Sequence, residues 1–263
     1  MTRQTLLQQL ETRIPDISRK ILGDFFNHTI ASTKADGSIV TEADTAMQQA
    51  LQHELAQLVP GAGLLGEEMT PQQQTEVIEN HSAYWCLDPL DGTNNFHHGV
   101  PLFAVSLALI EDAELSLAIV YDPVRDECFS ASADSGLRLN GKEHIPLAQP
   151  ETLGKCLASV DFKRLQRTTR LKLCDHMPFK SQRNIGTCAL EWAWLAAGRS
   201  QLLLHGGEKF WDYAAGCLLL QQAGGVSSSD GQQAIFNNTL DTRPVIAASN
   251  ASLYRQWVDF LLA

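Results

Sequence analysis

A short stretch in the first half of the chain, WCLDPLDGTNNFHHG at 85–99, contains two aspartates three residues apart. Asp88 ends an apolar run, and Pro89 restricts it to an extended conformation. Asp91 stands just before Gly-Thr, so a helix beginning at Gly92 would take Asp91 as its cap. Two carboxylates at the end of a strand and the start of a helix have the chemistry to bind a divalent cation.

The backbone of this stretch offers further groups. We expect the chain to turn at Leu90, which would leave the Leu90 carbonyl oxygen outside any strand ladder and available as a ligand. The amides at the start of the helix, those of Gly92, Thr93 and Asn94, would point at an anion. From this stretch alone, a site for a cation and a phosphate and a plain strand, turn and helix with an acidic cap are equal alternatives.

Acids elsewhere in the chain also stand where an apolar element begins or ends. Glu67 and Glu68 follow the apolar run GLLG, Asp212 begins an apolar helix, and Asp44 falls in the first turn of another predicted helix. Carboxylates placed in this way can meet in one cleft. Mg²⁺ prefers a few carboxylates, with water and substrate phosphate completing its shell. No His/Cys ligand pattern such as H-E-x-x-H competes with this assignment.

The composition is that of an ordinary globular protein. The 263 residues are 44% hydrophobic and 19% charged, with a formal net charge of −10. The acidic balance argues against a nucleic acid or an anionic membrane held by a general basic field. No apolar run reaches the roughly 18 residues of a spanning helix and the polar N-terminus lacks a signal-peptide core, so we predict a cytoplasmic location. The six scattered cysteines are predicted to be buried free thiols: Cys86, Cys128, Cys156, Cys174, Cys188 and Cys217.

Periodicity places these residues on elements. A helix is predicted over residues 6–25 with Pro15 kinking or restarting it, followed by a turn at Asp36-Gly37, a short strand and a helix capped by Thr41. Strand-like runs at 83–88, 103–112, 114–123 and 127–134 predict an antiparallel sheet.

The rear of the chain has a different texture. Strand-like runs at 156–162, 202–205 and 244–249 alternate with helix-like runs at 188–199, 212–224 and 252–263. We predict an α+β half at 1–150 and an α/β half at 151–263, packed against each other.

Two familiar motifs are nearly matched but fit poorly. The G-x-G-x-x-G at 61–66 follows a predicted helix and Pro60 and runs into two glutamates, whereas a dinucleotide fingerprint follows a strand and opens a helix. The D-P-L-D-G-T run is one residue too long for the nucleophile motif of haloacid-dehalogenase phosphatases, whose two acids project together with a period of two.

Five stretches instead resemble the inositol monophosphatase family of Mg²⁺-dependent, lithium-sensitive phosphatases: DGSIVTEAD (36–44), GEE (66–68), DPLDGTNNF (88–96), RNIGT (183–187) and WDYAAG (211–216). They occur in the family's order across nearly the whole chain. The resemblance implies a layered αβαβα sandwich of the inositol monophosphatase and fructose-1,6-bisphosphatase type. It also implies two or three Mg²⁺ ions, a small phosphate ester as substrate and a homodimer.

The resemblance also implies roles for particular residues. Ligands of the water-activating metal would be Glu67, Asp88 and the Leu90 carbonyl, and those of a second metal would be Asp88, Asp91 and Asp212. Asp44 and Thr93 match the pair that orients the attacking water. The amides of Gly92 and Thr93, with Asn94 beside them, match the phosphate cradle.

The substrate pocket is implied at Gly186, Thr187, Cys188 and His205. His205 stands where inositol-handling members have a glutamate, and Cys188 replaces an alanine. A histidine can accept or donate a hydrogen bond, so recognition of a polyol hydroxyl is still expected, but strict inositol preference is not. That His205 only lines the rim of the pocket is an equal alternative. The alternatives are histidinol phosphate, fructose 1,6-bisphosphate or 3′-phosphoadenosine 5′-phosphate as substrate, and a non-catalytic metal-binding regulatory protein.

Overall fold

The computed structural model of the protein describes residues 1–26, 31–33, 39–146 and 148–263. The first part of the chain forms, in order, α1 (Arg3–Phe25), β1 (Ala31–Thr33), β2 (Ile39–Thr41), α2 (Glu42–Leu58), β3 (Gly63–Gly66), α3 (Pro71–Asn80), β4 (Ala83–Asp91), α4 (Thr93–His97), β5 (Ala104–Glu111), β6 (Glu114–Asp122), β7 (Glu127–Ser132), β8 (Arg138–Leu139) and β9 (Lys142–Glu143). The second part forms β10 (Leu157–Asp161), α5 (Arg167–Asp175), β11 (Ser181–Arg183), α6 (Cys188–Ala196), β12 (Leu202–Glu208), α7 (Phe210–Gln222), β13 (Val226–Ser228), β14 (Arg243–Ala248) and α8 (Ala251–Leu262).

Two mixed sheets organise the described residues. The larger has seven strands in the order β3-β4-β5-β6-β7-β8-β9, and all its pairs are antiparallel except β3 with β4. The smaller has five strands in the order β11-β10-β12-β14-β13, with β10 parallel to both of its neighbours. The antiparallel sheet predicted from the four strand-like runs is therefore confirmed, as strands β4 to β7.

The helices form three layers around these sheets. Helices α1 and α2 pack on one face of the seven-stranded sheet, where alternate residues such as Trp85 and Leu87 point at them. The other face, including Tyr84 and Cys86, packs on α6 and α7, which also contact the five-stranded sheet through Leu203. Helix α8 covers the far side of the smaller sheet. The order of layers is αβαβα, as the resemblance implied.

Several details differ from the sequence predictions. Helix α1 runs through Pro15 without a break, while the predicted turn at Asp36-Gly37 lies outside the described residues. Cys174 is exposed at the end of α5 and Cys188 is only half-buried, although all six cysteines are free thiols as predicted. No helix within the described ranges combines the length and apolarity that crossing a bilayer requires. The division at residue 150 stays a prediction.

Candidate active site

A bulge near the end of β4 places Asp88 and Asp91 on the same face of the sheet. Asp88 pairs with Ser106 and Asp91 with Ala104, so three steps on β4 match two steps on β5. Residues three apart on a regular strand point to opposite faces, and the extra residue of a bulge corrects this. Pro89, which cannot donate to a ladder, sits in the bulge.

The bulge corrects two predictions. The chain does not turn at Leu90, because β4 continues to Asp91. Asp91 is not the cap of α4 either: Gly92 takes that position with φ of 92°, in the left-handed region, and makes no side-chain cap. The Leu90 carbonyl oxygen lies 3.0 Å from the Thr93 hydroxyl, whose single proton can be donated either to it or to Asp44.

The Asp91 carboxylate instead points at the start of α6. Its Oδ2 accepts hydrogen bonds from the Thr187 hydroxyl and, at 2.7 Å, from the Ala189 amide. Thr187 is the N-cap of α6, so one side chain both caps that helix and orients Asp91. This link between the first sheet and the second part of the chain was not predicted from the sequence.

Asp212 completes a group of three acids. It lies in the first turn of α7, where its Oδ2 accepts the Lys209 amide at 2.8 Å. Carboxylate oxygens of Asp88, Asp91 and Asp212 all lie within 4.8 Å of one another. Such a group of oxygen donors, on a bulged strand and a helix end, suits a hard divalent cation.

Electrostatics supports the same interpretation. Burial and the neighbouring charges of Glu67 and Asp91 hold the pKa of Asp88 well above its ordinary value. Burial, with repulsion from Asp91 and Glu67, raises the pKa of Asp212 to about 8. Burial also raises the pKa of Asp91, although the hydrogen bonds at α6 oppose it. Repulsion makes joint ionisation of these carboxylates costly, and a bound cation would offset that cost.

Glu67 lies at the end of β3, beside this group. Its backbone amide donates to the Leu87 carbonyl at 3.1 Å, which fixes the start of the loop against β4. Its negative charge raises the pKa values of Asp88 and Asp212, so its carboxylate lies close enough to interact with both. Glu67 is outside the group defined by the 4.8 Å separation.

Asp44 and Thr93 are in contact. The Thr93 hydroxyl is 3.1 Å from Asp44 Oδ1, while Oδ2 of the same carboxylate accepts the Thr41 amide at 2.7 Å and the Thr41 hydroxyl at 2.6 Å. Thr41 is the N-cap of α2, as predicted. Asp44 is fully buried, and this burial raises its pKa despite those hydrogen bonds.

The predicted pocket residues lie around one cleft of about 150 Å³. Gly186, Thr187, Cys188 and His205 line it together with Asp91 and Asp212. The amides of Gly92, Thr93 and Asn94 belong to the start of α4, where a helix has no internal acceptors for them. Asn94 itself is exposed.

Sequence reasoning missed other residues of this cleft. Asp161, Lys163, Arg164, Asn184 and Glu191 also line it. Asp161 ends the apolar strand β10, which is the signal that singled out Asp88 and Glu67, so it could have been found. Glu191 could also have been found, because it stands in the first turn of the apolar helix α6, as Asp212 does in α7; burial raises the pKa of Glu191 to about 8.

The layered αβαβα fold carries a group of three carboxylates, two of them buried, whose oxygens suit a hard divalent cation. The family model described as "Inositol monophosphatase family" matches residues 4–260. The chain belongs to the inositol monophosphatase family.

Individual relatives agree with this placement. The chain is 32% identical to an inositol-1-monophosphatase of Mesorhizobium japonicum over 246 residues, which cover 90% of this chain and 91% of the relative. It is 34% identical to the Nus factor SuhB of Xylella fastidiosa over 203 residues, which cover 75% of this chain and 70% of the relative. A solved IMPase/NADP phosphatase complexed with Mg²⁺ and phosphate superimposes with a TM-score of 0.83 at 25% identity, covering 98% of this chain and 96% of that one. Phosphatases are thus prominent among its relatives.

Proposed function

We propose that the protein is a Mg²⁺-dependent phosphomonoesterase that hydrolyses inositol 1-phosphate or a related sugar or polyol phosphate with water as the nucleophile. The observation that carries this proposal is the group formed by Asp88, Asp91 and Asp212, whose carboxylate oxygens lie within 4.8 Å of one another. The Thr93 hydroxyl contacts both Asp44 and the carbonyl of Leu90, the residue before Asp91. The pair of Asp44 and Thr93 therefore lies beside the acidic group.

The donor set fits Mg²⁺. Asp88, Asp91 and Asp212 would hold the metal, with Glu67 and the Leu90 carbonyl as further oxygen ligands. When ionised, these three aspartates and Glu67 carry four negative charges. Two Mg²⁺ ions would neutralise that charge, and a third ion would leave the site with a net positive charge. Bound Mg²⁺ would lower the pKa of water and stabilise charge on the attacking and leaving oxygens.

Thr93 and Asp44 would move the proton of the attacking water. The water donates its proton to Thr93 Oγ1, and the Thr93 hydroxyl proton passes to Asp44 Oδ1. Oδ1 is the oxygen suited to this step, because Oδ2 already accepts two hydrogen bonds from Thr41. The raised pKa of Asp44 makes it a stronger base than an exposed aspartate.

The start of α4 would hold the phosphate. Its first amides have no acceptor within the helix, and the positive end of the helix favours an anion. Gly92 is suited to this position, since a Cβ there would lie 3.0 Å from the Leu102 carbonyl oxygen, and its positive φ disfavours other residues.

Phosphate release from a panel of esters tests the proposal. The panel contains inositol 1-phosphate, histidinol phosphate, fructose 1,6-bisphosphate, 3′-phosphoadenosine 5′-phosphate and 4-nitrophenyl phosphate, each with Mg²⁺ or with EDTA. We expect Mg²⁺-dependent release that is greatest with one of the polyol or sugar esters. Asp175→Asn, an exposed aspartate at the end of α5, serves as the matched control for aspartate variants of the site.

Two outcomes would count against the proposal. Release that persists in EDTA would contradict the role of the metal. No release from any ester would favour a non-catalytic protein, as the Nus factor name of one relative allows. Retention of all the acids and of the Asp44 and Thr93 pair supports the enzyme.

A further inference from the structure

His205 has no ring nitrogen left for a substrate. Its side chain is buried in β12, and Nδ1 accepts the Gly207 amide at 3.1 Å. Because Nδ1 accepts, the neutral ring carries its proton on Nε2, which lies 3.1 Å from Asp161 Oδ2. Glu208 Oε1 is 3.9 Å from Nδ1, too far for a hydrogen bond. Both polar atoms of the imidazole are therefore engaged within the protein.

The partner of His205, Asp161, does have accepting capacity. Asp161 ends β10 and is paired with His205 in the parallel register of β10 and β12. Its Oδ2 accepts a hydrogen bond from His205 Nε2, and its Oδ1 accepts one from the Lys163 amide at 2.7 Å. Because each carboxylate oxygen has two lone pairs, each can accept a further hydrogen bond. The hydrogen bond from His205 is the main reason that the pKa of Asp161 lies below its ordinary value, which keeps the carboxylate ionised.

The position of Asp161 suits the alcohol part of an ester. Its side chain is 18% exposed and lines the same cleft as Asp91 and Asp212. With the phosphate held at the acidic group, the leaving alcohol would extend along this cleft.

The surroundings of Asp161 favour a neutral donor over a cation. Lys163 and Arg164 line the cleft beside it, and Arg164 Nη1 donates to the Gly207 carbonyl at 2.9 Å. The positive charge of Arg164 lowers the pKa of Asp161, so the carboxylate is already partly compensated and attracts an ammonium or imidazolium ligand less strongly. A hydroxyl can donate to the carboxylate without such repulsion.

We propose that Asp161 is the residue that accepts a hydroxyl of the substrate alcohol, and that His205 is a positioning residue that fixes the Asp161 carboxylate. This inference rests on the proposed function and narrows its substrate class to phosphate esters of polyols. It also moves the specificity contact from His205 on β12 to Asp161 on the neighbouring strand.

The test compares two esters that share a ring but not its hydroxyls, inositol 1-phosphate and cyclohexyl phosphate. The readout is the ratio of their kcat/KM values, in the wild-type protein and in Asp161→Asn. We expect the wild-type ratio to favour inositol 1-phosphate and Asp161→Asn to lower it about tenfold, because a hydrogen bond to a charged acceptor becomes one to a neutral acceptor. The loss should appear mainly in KM, since the hydroxyl is remote from the reacting atoms. Asp175→Asn should leave the ratio unchanged.

Variants of His205 separate positioning from general damage. Glutamine can donate from its amide nitrogen and accept at its oxygen, whereas leucine can do neither. His205→Leu should lower the ratio as Asp161→Asn does, and His205→Gln should restore most of it. The double variant of Asp161→Asn with His205→Leu should be no worse than either single change, because both remove the same contact. Should His205→Leu fail to fold, the ratios measured for Asp161→Asn and His205→Gln still test the roles of Asp161 and His205.

The outcomes separate this inference from the proposed function. Equal kcat/KM values for the two esters in the wild-type protein, or an unchanged ratio in Asp161→Asn, would overturn the role of Asp161 while leaving a phosphatase. A ratio lowered by His205→Leu but not by Asp161→Asn would overturn the division of roles. Failure to hydrolyse either ester or 4-nitrophenyl phosphate with Mg²⁺ would overturn the proposed function itself.

Discussion

The metal-free Asp212→Asn variant should be more stable than the metal-free wild-type protein near neutral pH, although Asp212 is proposed to be essential for activity. The pKa of Asp212 is about 8 in the folded chain, against a reference value of 3.8. Between these values the folded protein holds a proton that the unfolded chain releases, so the stability of the wild-type protein falls as pH rises. The asparagine variant has no such proton, so its advantage should be absent near pH 4 and largest at about pH 8.

The geometry gives the size of this effect. Two unit charges 4.8 Å apart, the upper limit of separation in the acidic group, repel by about 3.5 kcal/mol at an effective dielectric of about 20. Asp212 faces two such neighbours, Asp88 and Asp91, but shared protons relieve part of the repulsion. Loss of a favourable charge at the start of α7 costs up to about 1 kcal/mol. We therefore expect a net gain of about 3 kcal/mol at about pH 8, or a rise in Tm of roughly 6 to 12 °C.

Thermal and urea unfolding in EDTA, at about pH 4, 6 and 8, measure this difference. Adding Mg²⁺ at about 1,000 times Kd should reverse the order, because binding to the folded state then stabilises the wild-type protein by about 4.1 kcal/mol, more than the advantage of the metal-free variant. Asp175→Asn should follow the wild-type curve throughout. A metal-free Asp212→Asn variant that is less stable than the wild-type protein at about pH 8 would refute the repulsion among these carboxylates.

Three further predictions concern catalysis and metal binding. Thr93→Val removes the hydroxyl between the attacking water and Asp44, so kcat should fall by a factor of about 10² to 10⁴ with little change in KM. Steady-state kinetics that show an unchanged kcat would refute the proton path. Thr187→Val removes a donor that orients Asp91, so the Mg²⁺ concentration for half-maximal activity should rise by about 10- to 100-fold. The control Thr168→Val on α5 should leave that concentration unchanged. Lithium should inhibit the Mg²⁺-activated enzyme, as the family resemblance implies, and activity unaffected by Li⁺ in the presence of Mg²⁺ would contradict that expectation.

The sequence predicted the elements of the fold because their signals are local. Strands β4 to β7 are apolar runs separated by turn residues, and α2 has as its N-cap Thr41, whose backbone amide and hydroxyl both donate to Asp44. The acids of the site could be found for the same reason, since each ends or begins an apolar element. The layered arrangement of these elements came from the family resemblance, not from periodicity.

The geometry within the site depends on neighbours that are distant in the chain. Pro89 and the spacing of Asp88 and Asp91 suggested a turn, but pairing with β5 makes this segment a bulged strand. Asp91 was expected to cap the helix that follows it, yet it accepts its hydrogen bonds from Thr187 and Ala189 almost a hundred residues later. No local pattern carries such information, because it depends on how the second part of the chain packs on the first.

The same limit applies to the substrate end of the cleft. The family resemblance implied that His205 either contacts the substrate or lines the rim of the pocket. The parallel pairing of β10 and β12 puts it beside Asp161, and strand order in a sheet is not legible from a single sequence. The two side chains are 44 positions apart but form one hydrogen-bonded unit.

The central claim is that the acidic group of Asp88, Asp91 and Asp212 performs Mg²⁺-dependent phosphate ester hydrolysis. Its most direct test is the rate of phosphate release from inositol 1-phosphate as a function of Mg²⁺ concentration, for the wild-type protein and for Asp88→Asn side by side. We predict that wild-type turnover rises with Mg²⁺ and falls to background in EDTA, and that Asp88→Asn, folded by circular dichroism, is slower by about 10³-fold or more at every concentration. Wild-type turnover that is insensitive to EDTA, or an Asp88→Asn variant that turns over at the wild-type rate, would contradict the claim.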